Sequence, residues 1–215
     1  MSDENYLGFT HEFIPSSGTR DDLSLTLLLL HGTGGGENDL IPMAKMLGIS
    51  TASILSPRGK VLENGMPRFF RRLAEGVFDI EDLKFRTNEL ADFVQNASRR
   101  YSFDLQRVMA VGYSNGANIA ASLLLLRPEI LSDAILFRPM IPFPPDTLPN
   151  LSDKHILLSA GSYDPIIPDN LTRELFDLLR NSGADVSIQW HDAGHELTQR
   201  DVIEANEWIR SELLS

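Results

Sequence analysis

The chain has 215 residues, 42% of them hydrophobic and 23% charged, values that fit one folded globular domain over residues 1–215 and exclude fibrous or largely disordered classes. With 30 acidic and 19 basic side chains the formal net charge is -11, which repels nucleic-acid phosphates and anionic lipid headgroups, so neither partner is expected. Cysteine is absent, which removes disulfides, thiolate catalysis and cysteine metal sites.

Residues 1–5 are polar and acidic, without the basic flank and apolar stretch of a secretory signal. The run 25–30 is far short of the roughly 20 apolar residues that span a bilayer. A cytoplasmic protein is expected.

Short apolar runs then alternate with segments of helical period along the whole chain. This pattern predicts an α/β fold with a mostly parallel central sheet and helices on both faces. Residues 9–14 and 23–30, joined by the polar turn 16–19, read as a hairpin. Further strands are predicted over 52–55, 108–113, 134–137, 155–160 and 186–190. Helical periods fall at 40–47, 83–97, 116–126, 171–180 and 202–213. Two long stretches carry no regular pattern: 58–80, and the proline-rich loop 139–149. Arg68, Arg71 and Arg72 within the first read as helix-surface charges rather than a phosphate track.

The strongest motif is Gly112-Tyr113-Ser114-Asn115-Gly116, a G-x-S-x-G pentapeptide between a predicted strand and a predicted helix. That is the context of a nucleophile elbow, in which glycines let strand and helix approach closely and the serine stands at the helix start. Such a serine needs a histidine base, with an acid between the two in chain order. Asp164, in Gly161-Ser162-Tyr163-Asp164-Pro165, follows the strand 155–160 and should lie at the same sheet edge; Asp169 and Asp192 remain substitutes. His195, in Asp192-Ala193-Gly194-His195-Glu196, follows the last strand. His11 and His31 precede the serine, His155 opens a strand, and His191 lacks the glycine turn.

An oxyanion needs N–H donors. One is the backbone of Asn115; the second falls in His31-Gly32-Thr33-Gly34-Gly35-Gly36, with Thr33 or Gly34 as candidates. Glu37-Asn38-Asp39 after this loop disfavour phosphate. His31 reads as structural. The spacing of His191 and His195 is interrupted by a glycine, so no metal site is expected.

These residues, together with Leu29-Leu30-His31-Gly32-Thr33-Gly34-Gly35 and the segment from Asn64 to Leu73, make the chain resemble the phospholipase/carboxylesterase family of α/β-hydrolases, a group that includes the acyl-protein thioesterases. Within it, the hydroquinone-resistance carboxylesterases are most similar. The resemblance implies Ser114, Asp164 and His195 as a triad with Thr33 and Asn115 as oxyanion donors. It also implies a minimal lid made by 58–80 crossing the site, with Gly34, Met66, Phe69 and Phe70 at the substrate; core packing is the rival role for the last three. In relatives of the dienelactone-hydrolase type the nucleophile is a cysteine, so Ser114 points to ordinary esters.

The expected activity is therefore a cofactor-free serine carboxylesterase acting on small or medium acyl esters through an acyl-enzyme. A thioesterase or lysophospholipase would use the same residues, and a binding module on this fold would have lost turnover. The expected partner is a small-molecule ester, and a homodimer is left open.

Overall fold

The computed structural model describes residues 7–16 and 25–212. Residues 1–5, most of the turn 16–19, residues 23–24 and Leu213 therefore lie outside the described residues.

Seven strands form the main sheet: β1 (His11–Ile14), β2 (Thr26–Leu30), β3 (Ser53–Pro57), β8 (Val108–Tyr113), β9 (Asp133–Phe137), β10 (His155–Gly161) and β11 (Asp185–His191). Their spatial order is β1-β3-β2-β8-β9-β10-β11, parallel throughout except for β1, which runs antiparallel to β3 at one edge. The numbers β4 (Val61–Glu63), β5 (Met66–Arg68), β6 (Arg72–Ala74) and β7 (Val77–Phe78) belong to two small hairpins described below.

The alternation in Leu27-Leu28-Leu29-Leu30 explains the layering. Leu28 and Leu30 enter one core with α2 (Ile80–Tyr101), α3 (Asn115–Leu126) and α4 (Asp169–Asn181). Leu27 and Leu29 enter the opposite core with α1 (Ile41–Met46) and α5 (Gln199–Glu212). A strand buried on both faces has no polar side, so it reads as a continuous apolar run. Helix α3 is buried along residues 115–125, which accounts for its apolar character all round. Helix α2 begins where the side chain of Asp79 accepts the Asp82 N–H and carries acids in its first turn and Arg99 and Arg100 in its last, as the helix dipole favours.

Two expectations are corrected. The first is the hairpin of 9–14 with 23–30. β1 pairs with β3, while β2 lies between β3 and β8, both parallel to it. With both its edges taken by interior partners, β2 has no side left for β1.

The second concerns 58–80, which is a strap of two antiparallel hairpins, β4 with β5 and β6 with β7. Asn64 and Gly65 both adopt positive φ in the first turn, the geometry that Asn-Gly supplies to two-residue hairpins. Arg68, Arg71 and Arg72 consequently sit on the strap and on no helix. Glu63 pairs with both Arg68 (3.2 Å) and Arg72 (2.9 Å), and Arg71 reaches Asp79 at 2.9 Å.

The chain moves outward from β2 to β3 and then returns to the other side of β2 as β8. Ligands of open α/β sheets bind at the carboxyl ends of strands flanking such a reversal. Here the residues following those ends are His31-Gly32-Thr33 and Ser114.

Candidate active site

Ser114 has φ 53° and ψ -113°, a strained conformation for a residue with a side chain. Its cause is crowding. A Cβ on Gly112 would stand 2.7 Å from the Ala117 backbone, and one on Gly116 only 1.9 Å from the Leu30 carbonyl oxygen. The two glycines let α3 start directly against the ends of β2 and β8, which lifts Ser114 clear of the sheet. Its N–H donates to the Phe137 carbonyl at 2.9 Å, tying the elbow to β9.

The structure brings together the three side chains singled out from the sequence. The Nε2 atom of His195 is 2.8 Å from Ser114 Oγ, and Nδ1 is 2.7 Å from Asp164 Oδ2. With Nδ1–H donating to the carboxylate, Nε2 is left to accept from the hydroxyl. The other oxygen of Asp164 accepts the N–H groups of Ile166 (2.8 Å) and Ile167 (3.0 Å), so the turn after β10 holds the carboxylate. Asp169 lies in α4 and Asp192 in the loop after β11, and it is Asp164, not either of these, that His195 Nδ1 meets.

Of the oxyanion candidates, Gly34 is excluded as a donor because its N–H goes to the Pro67 carbonyl at 2.9 Å. Asn115 is the first residue of α3 and so has no intrahelical acceptor for its N–H. Thr33 and Asn115 both line the cavity at Ser114, and neither backbone N–H meets an acceptor among the described residues. Two free N–H groups in this position can stabilise negative charge that develops beside the Ser114 hydroxyl.

His31 is structural, as expected. Its Nε2 accepts the Gly59 N–H at 2.9 Å, its Nδ1 donates to the Gly32 carbonyl at 2.7 Å, and its ring packs on Phe69. Burial holds its pKa below the ordinary histidine value, partly countered by the Gly32 carbonyl, so the neutral ring staples loop to strap.

The cavity has a volume of about 290 Å³, at the small end for ligand sites. Gly34, Met66, Phe69 and Phe70 do not line it. Phe69 and Phe70 are buried in the core beneath the strap, and Met66 covers Gly34 on the outside. The strap instead contributes Arg68, Arg72, Glu75 and Phe78 to the wall, and α3 contributes Asn118. Asn118 Oδ1 accepts the Met140 N–H at 2.9 Å, which leaves its amide Nδ2 as the polar group at the wall. The strap is bound to the site by the Phe69 N–H donating to Asn115 Oδ1 (2.7 Å) and by Arg68 Nη1 donating to Thr33 Oγ1 (2.7 Å).

The profile of the dienelactone hydrolase family matches residues 71–211, about two thirds of the chain. A curated relative from Bacillus subtilis (strain 168), "Putative hydrolase MhqD", is 48% identical over 94% of this chain and 98% of its own. The chain belongs to the dienelactone hydrolase family. It is a hydrolase of the α/β-hydrolase fold. The crystal structure of a Bacillus cereus carboxylesterase superposes with a TM-score of 0.93 at 48% identity, covering 97% of this hydrolase and 96% of that chain. YahD, solved with malic acid, follows with a TM-score of 0.86 at 34% identity, covering 93% and 98%. No helix among the described residues is long and apolar enough to cross a membrane.

Sequence reasoning missed three features of this hydrolase. Tyr113 Oη donates to the His195 carbonyl at 3.0 Å. Arg138, directly after β9, forms a fully buried ion pair with Asp201 at 2.7 Å. Asn118 stands at the cavity wall one turn after Ser114. The only local signal was Thr198-x-x-Asp201 at the start of α5, a capping-box spacing; Asp201 N–H donates to Thr198 Oγ1 and the carboxylate accepts from Thr198 N–H.

Proposed function

We propose that this hydrolase is a serine carboxylesterase that cleaves small or medium acyl esters through an acyl-enzyme. The single observation that carries the reading is the bonded series from Asp164 through His195 to Ser114, 2.7 Å and 2.8 Å, beside two unengaged N–H groups. In this reading His195 Nε2 removes the Ser114 proton as Oγ attacks the ester carbonyl carbon. The N–H groups of Thr33 and Asn115 take the negative oxygen. His195 returns the proton to the departing alkoxide, leaving the acyl group on Oγ. A water then gives its proton to His195 and attacks the acyl carbon; the acyl–Oγ bond breaks, the carboxylic acid departs, and His195 returns the proton to Ser114. Asp164 stays ionised throughout and favours the imidazolium.

The name of the B. cereus relative supports ester hydrolysis, that of the B. subtilis relative supports hydrolysis, and the small volume of the cavity supports short acyl groups. The test is a panel of p-nitrophenyl esters of rising acyl length, with matched thioesters, on wild type and Ser114→Ala. The expected result is preference for short oxygen esters and a loss of about 10⁴-fold or more in kcat for the variant. Turnover retained in Ser114→Ala, or a wild type that is inert to both the panel and a fluorophosphonate probe, overturns the proposal.

A further inference from the structure

The imidazole of His195 is carried by a loop, residues 192–198, that lies in neither strand nor helix, so no ladder of backbone bonds fixes it. The Ala193 carbonyl takes the Tyr163 N–H at 3.0 Å, and the next three carbonyls are engaged by two side chains, one at the end of β8 and one directly after β9. Arg138 Nε donates to the Gly194 carbonyl at 3.0 Å, and Nη2 to the Glu196 carbonyl at 2.7 Å. Tyr113 Oη donates to the carbonyl between them, that of His195, at 3.0 Å. Three consecutive carbonyls are therefore held, with the general base in the middle.

Arg138 is itself held on every side. Its backbone has φ 54°, a left-handed conformation uncommon for a residue with a side chain, and its N–H donates to the Ser159 carbonyl at 2.7 Å. The guanidinium makes a bidentate pair with Asp201, Nη1 to Oδ1 at 2.7 Å and Nη2 to Oδ2 at 2.9 Å, and Nη1 also reaches Ser159 Oγ at 3.2 Å. Asp201 accepts further bonds from Ser159 Oγ, Thr198 N and Thr198 Oγ1. His191 Nε2 is 3.3 Å from Asp201, with Glu204 beyond it at 3.9 Å, and the Glu196 carboxyl is also within electrostatic reach of Arg138. Burial by itself would raise the carboxyl of Asp201, but the bonds from Arg138, Ser159 and Thr198 hold it well below the usual carboxylate range.

We infer that Arg138, anchored by Asp201 and assisted by Tyr113, is a positioning residue for the reaction, fixing the loop so that the His195 imidazole stays between Asp164 and Ser114. The inference rests on the serine-esterase reading above. A purely structural link between α5 and the sheet could be apolar, since a buried ion pair is no better for stability than well-packed hydrophobic side chains. An apolar pair would leave the Gly194 and Glu196 carbonyls without donors. The planar guanidinium fork reaches both carbonyls and the carboxylate at once; a lysine ammonium, a single point of donation, cannot.

The test measures kcat and KM for Arg138→Lys and Tyr113→Phe, each normalised to active sites titrated with a fluorophosphonate. Leu179→Ala, in the distant α4 core, serves as a control for general destabilisation. Expected are a kcat loss of about tenfold to a hundredfold for Arg138→Lys and a smaller one for Tyr113→Phe, with KM within about twofold, because a misplacement near 1 Å costs that much in rate. Leu179→Ala should lower Tm with kcat per titrated site unchanged. Unchanged kcat in Arg138→Lys, or in Tyr113→Phe where the lysine variant does not fold, overturns the assignment. A loss carried by KM alone, or an equal loss in Leu179→Ala, does the same. Ser114→Ala run in parallel separates the claims: if it is active the esterase reading falls, and if it is inactive while Arg138→Lys is normal only the positioning role falls.

Discussion

Gly116→Ala adds one methyl group at the tightest contact in the elbow. The new Cβ would lie 1.9 Å from the Leu30 carbonyl oxygen, 2.4 Å from its carbon and 2.7 Å from the His31 carbonyl oxygen, all backbone atoms at the end of β2. No rotamer can relieve a clash with backbone, so the start of α3 and the end of β2 must separate by about 1 Å before the new Cβ reaches even the shortest tolerated contact. Asn115 opens α3 and Thr33 follows β2, and both residues line the cavity, so under the esterase proposal the separation widens the gap between the two proposed donors. A shift of this size is expected to lower kcat by about a hundredfold. The overpacking is expected to cost about 1–3 kcal/mol, or about 2–12 °C in Tm at this chain length. Thermal melts and p-nitrophenyl acetate kinetics on the purified variant check both. A Gly116→Ala protein with wild-type kcat and Tm would refute the claim that close approach at this glycine builds the site.

Asn115→Ala removes the acceptor for the Phe69 N–H and should cost about 1–3 kcal/mol, with a raised KM as the strap loosens; unchanged melts and KM would count against the anchoring. Phe78→Ala enlarges the strap wall of the cavity, and at about 0.8 kcal/mol per buried methylene the octanoate-to-butyrate ratio of kcat/KM should rise about fourfold for each methylene newly accommodated. A ratio that stays level would place the acyl chain elsewhere. Stability should fall in acid in two stages. His31 and Asp201 both have folded pKa values below their unfolded ones, so the unfolded chain binds more protons. The His31 contribution is complete above its unfolded value of 6.5 and is lost as pH falls below it, and that of Asp201 is lost below 3.8. Urea melts from pH 8 down to about pH 2 would show the upper stage in full and the steepening onset of the lower one, and a His31→Asn variant should lack the upper stage.

Much of the site was legible because its requirements are local. Gly112 and Gly116 flank Ser114 within five residues, and the crowding that demands them follows from a strand turning directly into a helix. Asp164 could be named because it follows a strand end, although only the bond to His195 separates it from Asp169 and Asp192. The hairpin error arose from the opposite situation. Adjacency in the chain suggested that 9–14 pairs with 23–30, yet the partners of β2 are β3 and β8, and that choice depends on burying Leu27 to Leu30 on both faces. Phe69 and Phe70 were ambiguous for a related reason: an aromatic pair in a connecting segment reads the same whether it faces a cavity or a core. The Asn64-Gly65 turn was the signal that would have resolved the strap into hairpins.

By itself the sequence determined the kinds and order of the main-sheet strands and their covering helices, the alternation that makes a covered parallel sheet, and the serine, aspartate and histidine in chain order, since these follow from side-chain periodicity and steric needs between near neighbours. Only the tertiary structure decided which strands pair, which residues face the cavity, and that His195 lies 2.8 Å from a serine 81 positions away. The Arg138–Asp201 pair, 63 positions apart, belongs wholly to that second group. Contacts at such separations exist because packing two apolar faces onto one sheet brings distant loops to a common edge, and no local preference encodes which loops will meet there.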